Sequence, residues 1–390
     1  MPHSLRPPFK VMHIISRLNI GGISPYVIPI TALLRQAGYQ SALVAGSVGK
    51  REGDMSYLAE QVGVQPLPVP SLGREISPLR DLATVRDLYR LLRREKPHIV
   101  HTHTAKAGFA GRLAAKLAGV PLIFHTYHGH VFHSYFGAAK TRFYLALEQF
   151  CGALSTRIIT VSPNLQREIG TVYRVAPPRK VAMVVPGYDL SALRDLVRPS
   201  GDFRARFGVP ESAPLIGIVG RLVPIKHHAL FLEGMARVAH ALPAARFAII
   251  GDGELRATLE AQAAALGIGQ SVIFTGWQND LPAIYGALDC LVLCSKNEGL
   301  PSAVIEALVT GVPVVATAVG GVPDMLADGR GALVPPNDAE ALAAAALHTL
   351  RDLPAARTHA QSLRKPAFDL YHITPSAERL IAFYAEFLGA

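Results

Sequence analysis

Short runs rich in Val, Ile and Leu alternate along this chain with longer stretches of helical periodicity. The first series of runs falls at residues 11–15, 42–45, 99–101, 122–125, 158–161 and 181–185. Helical patterns stand between them, for example at 25–37, 78–95 and 107–118. A second series follows at 215–219, 247–250, 272–274, 290–293, 312–316 and 332–334. Strands that alternate with helices predict parallel sheets covered on both faces. Two such series, joined near residues 189–210, predict an α/β protein of two Rossmann-like domains facing across a cleft. No solenoid period or low-complexity segment interrupts the pattern, and the Ala-rich stretch at 339–347 is simply a good helix former.

Length and composition agree with this reading. A chain of 390 residues fits two or three domains, and half of its residues are hydrophobic, ample for buried cores. The longest apolar tracts are broken by Gly, Pro or charge before the ~20 residues that a membrane span needs. The opening MPHSLRPPFK holds no apolar signal core. Cys151, Cys290 and Cys294 sit in or beside apolar segments and read as buried thiols, which fits a reducing, cytoplasmic setting.

Charge changes the picture more. Residues 1–195 hold 24 Lys and Arg against 11 Asp and Glu, whereas residues 196–390 hold 15 against 18. A basic first half points to an anionic partner such as a lipid diphosphate, a membrane face or a nucleic acid, or else to plain solubility. Nucleic acid is the weakest of these, because the basic residues are spread over several helices with no recognition motif among them.

The densest chemistry lies in NEGLPSAVIEALVTGVPVVATAVGGVPD, residues 297–324. A buried strand ends near Ser295, a polar loop carries Glu298 and Gly299, and Pro301 and Ser302 open an apolar helix that contains Glu306. A strand, a Gly-containing loop and a helix N-terminus form an anion site, since free N–H groups and the helix dipole point outward there. Two carboxylates beside such a site suit a sugar nucleotide, one for sugar hydroxyls and one for ribose hydroxyls. A helix-surface reading of Glu306 conflicts with its Ala, Val, Ile and Leu neighbours, where an unpaired carboxylate is costly. Upstream, GIVGRLVPIKHH places Arg221 and Lys226 after the strand at 215–219, at the end where parallel sheets bind ligands.

The E-x7-E spacing, its EGLPSAVIEAL setting and the following GVPVVAT…GGVPD resemble the donor-binding signature of retaining glycosyltransferases of the GT-B fold, family 4. The resemblance covers nearly the whole chain. It implies an N-terminal acceptor domain at 1–192, a C-terminal nucleotide-sugar domain at 193–370, and a final segment, 371–390, whose helix packs back on the first domain. Residue by residue, it assigns Arg221 and Lys226 to the donor diphosphate, Glu298 to sugar hydroxyls and Glu306 to ribose. Gly299, Leu300, Pro301 and Ser302 form the surrounding loop. IIGDGEL and TGW resemble the family's glycine turns, which places Gly276 and Trp277 near the nucleobase. Gly21 and Gly22 match the glycine pair that lies near the donor phosphate or the acceptor, although GGISPY departs from the usual neighbours. His128 and Gly129 match the family's His-Gly, with the imidazole near the transferred sugar and its phosphate, and His103 fits a strand-end position.

Together these imply transfer of a hexose-type sugar from a nucleoside diphosphate sugar, UDP-sugar being favoured, to a hydroxyl of a saccharide or lipid-linked acceptor. Retention and independence of metal and cofactor are implied with it. His128, Arg221, Lys226 and Glu298 are the expected catalytic residues. The main rival is a zinc or iron hydrolase with His101, His103, His128 and His130 as ligands. Against it, no Asp or Glu occurs between Glu95 and Glu148 to serve as second shell or base. A sugar-nucleotide epimerase, a non-catalytic sugar-nucleotide binder and a phosphorylase complete the alternatives. His130 and His133 carry no assigned role and read as surface residues.

Overall fold

A computed structural model describes residues 8–49, 53–73, 77–130, 132, 137–197 and 202–389. The chain divides into two compact units, one of residues 1–189 with 371–390 and one of residues 190–370.

The first unit is built on β1 (Lys10–Ile15), β2 (Gln40–Ala45), β3 (Leu67–Pro68), β4 (Ile99–His103), β5 (Leu122–Tyr127), β6 (Arg157–Thr160) and β7 (Val181–Met183). They form one sheet in the order β3-β2-β1-β4-β5-β6-β7, and every pairing is parallel. The order reverses between β1 and β4, whose register pairs His13 with His101. The carboxyl end of such a reversal is where open α/β sheets leave a crevice.

The second unit repeats the plan with β8 (Leu215–Val219), β9 (Arg246–Ile250), β10 (Val272–Gly276), β11 (Cys290–Leu293), β12 (Val314–Thr317) and β13 (Ala332–Val334). Their order is β10-β9-β8-β11-β12-β13, so the reversal lies between β8 and β11. Its core joins Ile216, Ile218, Phe247, Ile249, Val292 and Val315 from the strands to Phe231, Met235 and Leu342 from the covering helices. Strands with both faces covered carry apolar residues on both, which explains their near-continuous hydrophobic runs.

The final helix, Ile373–Leu388, belongs to the first unit. Tyr384 is fully buried and stacks on Phe124 of β5 at 5.5 Å. Backbone bonds between Tyr188 and residues 371 and 373 tie the helix start to the chain leaving β7. Cys151, Cys290 and Cys294 are buried free thiols. Among the described residues, no helix is long and apolar enough to cross a membrane.

Candidate functional site

In the second unit the site is assembled by the two loops that flank the reversal. The loop after β8 carries Arg221 and a single 3-10 turn, Pro224–Lys226. The loop after β11 carries Ser295 to Leu300. The two are laced by the Lys296 backbone N–H, which donates to the Ile225 carbonyl at 2.8 Å. Lys226 Nζ reaches Glu298 Oε1 at 2.6 Å, and Ser295 Oγ donates to the same oxygen at 2.5 Å. Both ends of the ion pair are mostly shielded from solvent, so it is held more firmly than an exposed pair. Arg221, half-buried in the same loop, makes no side-chain hydrogen bond or ion pair among the described residues.

Gly320 fixes the far side of the Glu298 loop. Its φ is +53°, and a Cβ there would sit 1.8 Å from the Glu298 carbonyl oxygen. Only a glycine allows that approach. The next residue, Gly321, donates its N–H to the same carbonyl at 3.0 Å. So the GGVPD stretch holds the Glu298 backbone in place.

Helix Ser302–Thr310 begins one residue later than the sequence pattern implies. Pro301, not Ser302, occupies the cap position, and no side chain caps the helix. Ser302 instead bonds Glu306, whose Oε2 also accepts from Tyr285 Oη at 2.6 Å. Burial raises the Glu306 pKa, and the Tyr285 and Ser302 hydrogen bonds and the Lys226 charge partly offset the rise. Glu306 is therefore a desolvated carboxylate held by two hydroxyls. Gly276 ends β10 with φ +68° and accepts the Gly251 N–H at 3.0 Å. Trp277, the next residue, is 46% exposed.

The first unit gathers histidines at its own reversal. His103 ends β4; its Nε2 lies 3.1 Å from His13 Nδ1, and its Nδ1 lies 3.1 Å from His128 Nε2. His101 uses both ring nitrogens elsewhere, toward Tyr384 Oη and Thr126 Oγ1, each at 2.6 Å. Burial lowers the pKa of His13 to about 3 and of His128 to about 4, and holds His101 and His103 well below the usual imidazole value. The imidazoles are neutral at pH 7. Gly129 follows His128 with a positive φ of 157°. Gly21 and Gly22 lie in the loop between β1 and helix Ser24–Gln36, neither with positive φ. A Cβ on Gly21 would meet nothing within 4 Å.

Comparison with known proteins now decides the family. A profile described as "Glycosyl transferases group 1" matches residues 200–365, and one described as "Glycosyl transferase 4-like domain" matches residues 21–187. The chain is 30% identical over 368 residues, 87% of its length, to a D-inositol 3-phosphate glycosyltransferase of Thermomonospora curvata, of which it covers 84%. The chain belongs to the group 1 glycosyltransferases of family 4. It is also 35% identical over 257 residues to the UDP-Gal:alpha-D-GlcNAc-diphosphoundecaprenol alpha-1,3-galactosyltransferase of Escherichia coli, a match that spans 65% of the chain and 66% of that protein. Among solved structures, Anabaena HepE in complex with UDP and glucose superposes with a TM-score of 0.82, at 19% identity, over 97% of this chain and all of that one. The fold of the transferase is GT-B, as its motifs implied.

Two readings of the histidines need correction. His130 is no surface residue: it is 7% exposed, stacks on Phe132, and its Nε2 meets Glu168 Oε2 at 2.8 Å. His133 lies outside the described residues. The hydrolase rival also fails as drawn, since its four ligands do not converge. His130 turns to Glu168, and the histidines whose nitrogens cluster within 4.8 Å are His13, His101 and His103. The acids missing from the sequence interval come from elsewhere in the transferase, Glu168 to His130 and Glu148 to Arg112 and Tyr127. Tyr285, Ser295, Gly320 and His13 are site residues that spacing alone did not disclose. A tyrosine inside the buried run at 283–287, whose hydroxyl needs a partner, was the one available signal.

Proposed function

We propose that the transferase moves a hexose from a UDP-sugar to a hydroxyl of a lipid-linked saccharide, with retention at the anomeric carbon and with no metal or cofactor. The observation that carries this is the carboxyl edge of β8 and β11. There Lys226, unpaired Arg221 and the uncapped start of helix Ser302–Thr310 place positive charge around Glu298. That set suits a diphosphate with a hydroxyl-rich sugar attached. UDP is the preferred base because HepE is described with UDP and glucose. Trp277 supplies an exposed aromatic face beside the Gly276 turn for the base.

In the proposed reaction the bond from the anomeric carbon to the diphosphate breaks. The acceptor oxygen forms its new bond on the same face, and the acceptor proton passes to a phosphate oxygen of the leaving group. Negative charge grows on the diphosphate, where Arg221, Lys226 and the helix start stabilise it. Glu298 accepts hydroxyls of the sugar, Glu306 those of the ribose, and neutral His128 orients the sugar. Gly21, over which a Cβ would meet nothing within 4 Å, leaves open backbone for a phosphate, while Gly22 faces the Tyr188 hydroxyl.

A lipid-linked acceptor is favoured by the charge of the first unit and by the diphosphoundecaprenol acceptor in the name of the Escherichia coli relative. The second reading is a small soluble acceptor. It has support from the 2-deoxystreptamine N-acetyl-D-glucosaminyltransferase of Streptomyces fradiae, 28% identical over 95% of this chain. The deciding experiment incubates the purified transferase and EDTA with UDP-, GDP- and ADP-sugars, first without acceptor and then with a polyprenyl-diphosphate saccharide or an aminocyclitol. Slow UDP-sugar hydrolysis that persists in EDTA, and transfer to the lipid only, are the expected results. Activity lost in EDTA and restored by a divalent ion overturns the metal-free reading.

A further inference from the structure

His13 lies in the middle of an apolar strand and belongs to no assigned motif, yet it is fully buried beside His103, which in turn meets His128, the histidine that the proposed function gives to the sugar. Its Nδ1 faces His103 Nε2, and His103 Nδ1 faces His128 Nε2, each contact being 3.1 Å. Each neutral imidazole carries one N–H and one bare nitrogen. Three neutral rings joined in this way have only two consistent proton arrangements. Either every ring donates toward His128, or every ring donates toward His13.

The two arrangements differ at the ends. His13 Nε2 is buried and meets no hydrogen-bond partner among the described residues. If the chain ran toward His13, that atom would be an N–H donor without an acceptor. If it runs toward His128, the atom is a bare nitrogen without a donor. Buried orphan N–H groups are the rarer and costlier of the two. The surroundings allow little relief. Tyr26 closes on His103 and His128 edge-on, at 6.2 and 5.7 Å between ring centroids, while His101 stacks on His103 at 4.4 Å and is itself engaged by Tyr384 and Thr126.

We propose that His13 and His103 are positioning residues that donate in sequence toward His128, so that His128 keeps its proton on Nδ1 and presents it as a hydrogen-bond donor. Under the proposed function, on which this rests, that donor meets an oxygen of the transferred sugar or its phosphate. Burial supports the arrangement, because it keeps all three rings neutral and so able to hold a single direction. The geometry needs no proton transfer along the chain; it selects a tautomer.

The test reads the tautomer directly. In the full-length protein with 15N-labelled histidine, long-range 1H–15N spectra at pH 7.5 should show His128 with its proton on Nδ1. His13→Leu removes the first donor, and His128 should then populate the Nε2–H form. Sugar-donor turnover should fall about five- to tenfold, the kinetic equivalent of one net hydrogen bond, with little change in the KM for UDP-sugar. His13→Asn, whose amide nitrogen can stand near the lost Nδ1 donor, should restore both the tautomer and most of the rate. A merely structural His13 predicts a lower melting temperature without a tautomer change, and no rescue by Asn. An Nε2–H His128 in the wild-type protein, or a tautomer indifferent to His13→Leu, overturns the proposal. His128→Phe separates the two readings: full turnover there removes His128 from the donor site, while the spectra still decide the direction of the chain.

Discussion

Arg221 and Lys226 stand five positions apart in one loop, yet they differ in partners. Lys226 is neutralised by Glu298 at 2.6 Å, whereas half-buried Arg221 makes no side-chain hydrogen bond or ion pair among the described residues. Under the proposed chemistry Arg221→Ala removes one stabiliser of the leaving diphosphate, and kcat should fall by roughly 100- to 1000-fold. Lys226→Ala should match that fall and add a second effect, because it leaves the shielded Glu298 carboxylate without its cation. Donor affinity should drop as well, and Glu298→Gln in the same chain should recover part of it. A double-mutant cycle read in kcat/KM tests this, with a coupling beyond about 0.5 kcal/mol expected for groups in contact. Strict additivity would detach Glu298 from Lys226, and wild-type turnover in both Ala variants would remove the diphosphate assignment. Glu306 belongs to a different network, with Tyr285, so its loss should weaken free UDP and UDP-sugar alike. Glu298→Ala should instead weaken the sugar donor more than UDP.

At the level of elements, the loop that carries Glu298 is only as well placed as the glycine behind it. Gly320→Ala forces a side chain into a left-handed residue, at a point where its Cβ would sit 1.8 Å from the Glu298 carbonyl oxygen. Left-handed strain alone costs about 1–3 kcal/mol, and the contact adds to it unless the loop moves. The expected outcome is at least a tenfold loss in kcat/KM from a folded protein, checked by kinetics beside a melting curve. An unchanged rate with a lowered melting temperature would show that the loop carries stability alone. The elements themselves were largely legible. The strand pattern at 11–15 became Lys10–Ile15, that at 215–219 became Leu215–Val219, and the helix at 78–95 lies at Pro78–Glu95. Leu67–Pro68 was missed because two residues, one of them Pro, leave no periodic trace. The run at 181–185 shortens to Val181–Met183. Helix Leu353–Tyr371 has no counterpart among the sequence-predicted elements, since Pro366 inside it argues against a continuous helix. The E-x7-E stretch could be read because strand, loop and helix follow one another locally. Tyr285, His13 and Gly320 could not, because each meets its partner across 21 or more residues, a distance to which spacing is blind.

For the whole molecule, two charge properties lead to measurements. The first is the set of neutral buried histidines, His13, His101, His103, His125, His128 and His228, all with pKa lowered by burial. Unfolding lets each bind a proton below its ordinary value near 6.5, so their contribution to stability is complete above that pH. It is lost as pH falls toward about 4 for His128 and about 3 for His13. Each contributes a slope of about 1.4 kcal/mol per pH unit inside its window. Glu306, whose pKa is raised, acts in the opposite sense, losing its contribution as pH rises, but it is one group against six. Urea midpoints at pH 7.5 and 5 should therefore fall sharply with acid, and a flat profile would mean that these rings are solvated or charged in the folded protein.

The second property is the asymmetry of the two units. The first holds 24 Lys and Arg against 12 Asp and Glu, and the second 15 against 17. Helix Pro78–Glu95 concentrates part of that charge, with Arg90 and Arg93 exposed toward its C-terminal end and Leu79 and Leu82, 84% and 69% exposed, in its first turns. Exposed cations and exposed leucines on one helix suit an anionic lipid face, where each basic residue contributes about 1 kcal/mol. The attraction is screened over a Debye length of about 10 Å at 0.1 M salt. If the acceptor is lipid-linked, the charge of the first unit serves to bring the transferase to it. The full-length protein should co-sediment with vesicles of anionic phospholipid at low salt and be released as salt rises. Arg90→Glu with Arg93→Glu reverses the charge at two positions and should weaken retention, while donor hydrolysis in solution stays at the wild-type rate. Equal retention on neutral and anionic vesicles would leave the basic unit as a matter of solubility, and would favour the small soluble acceptor instead.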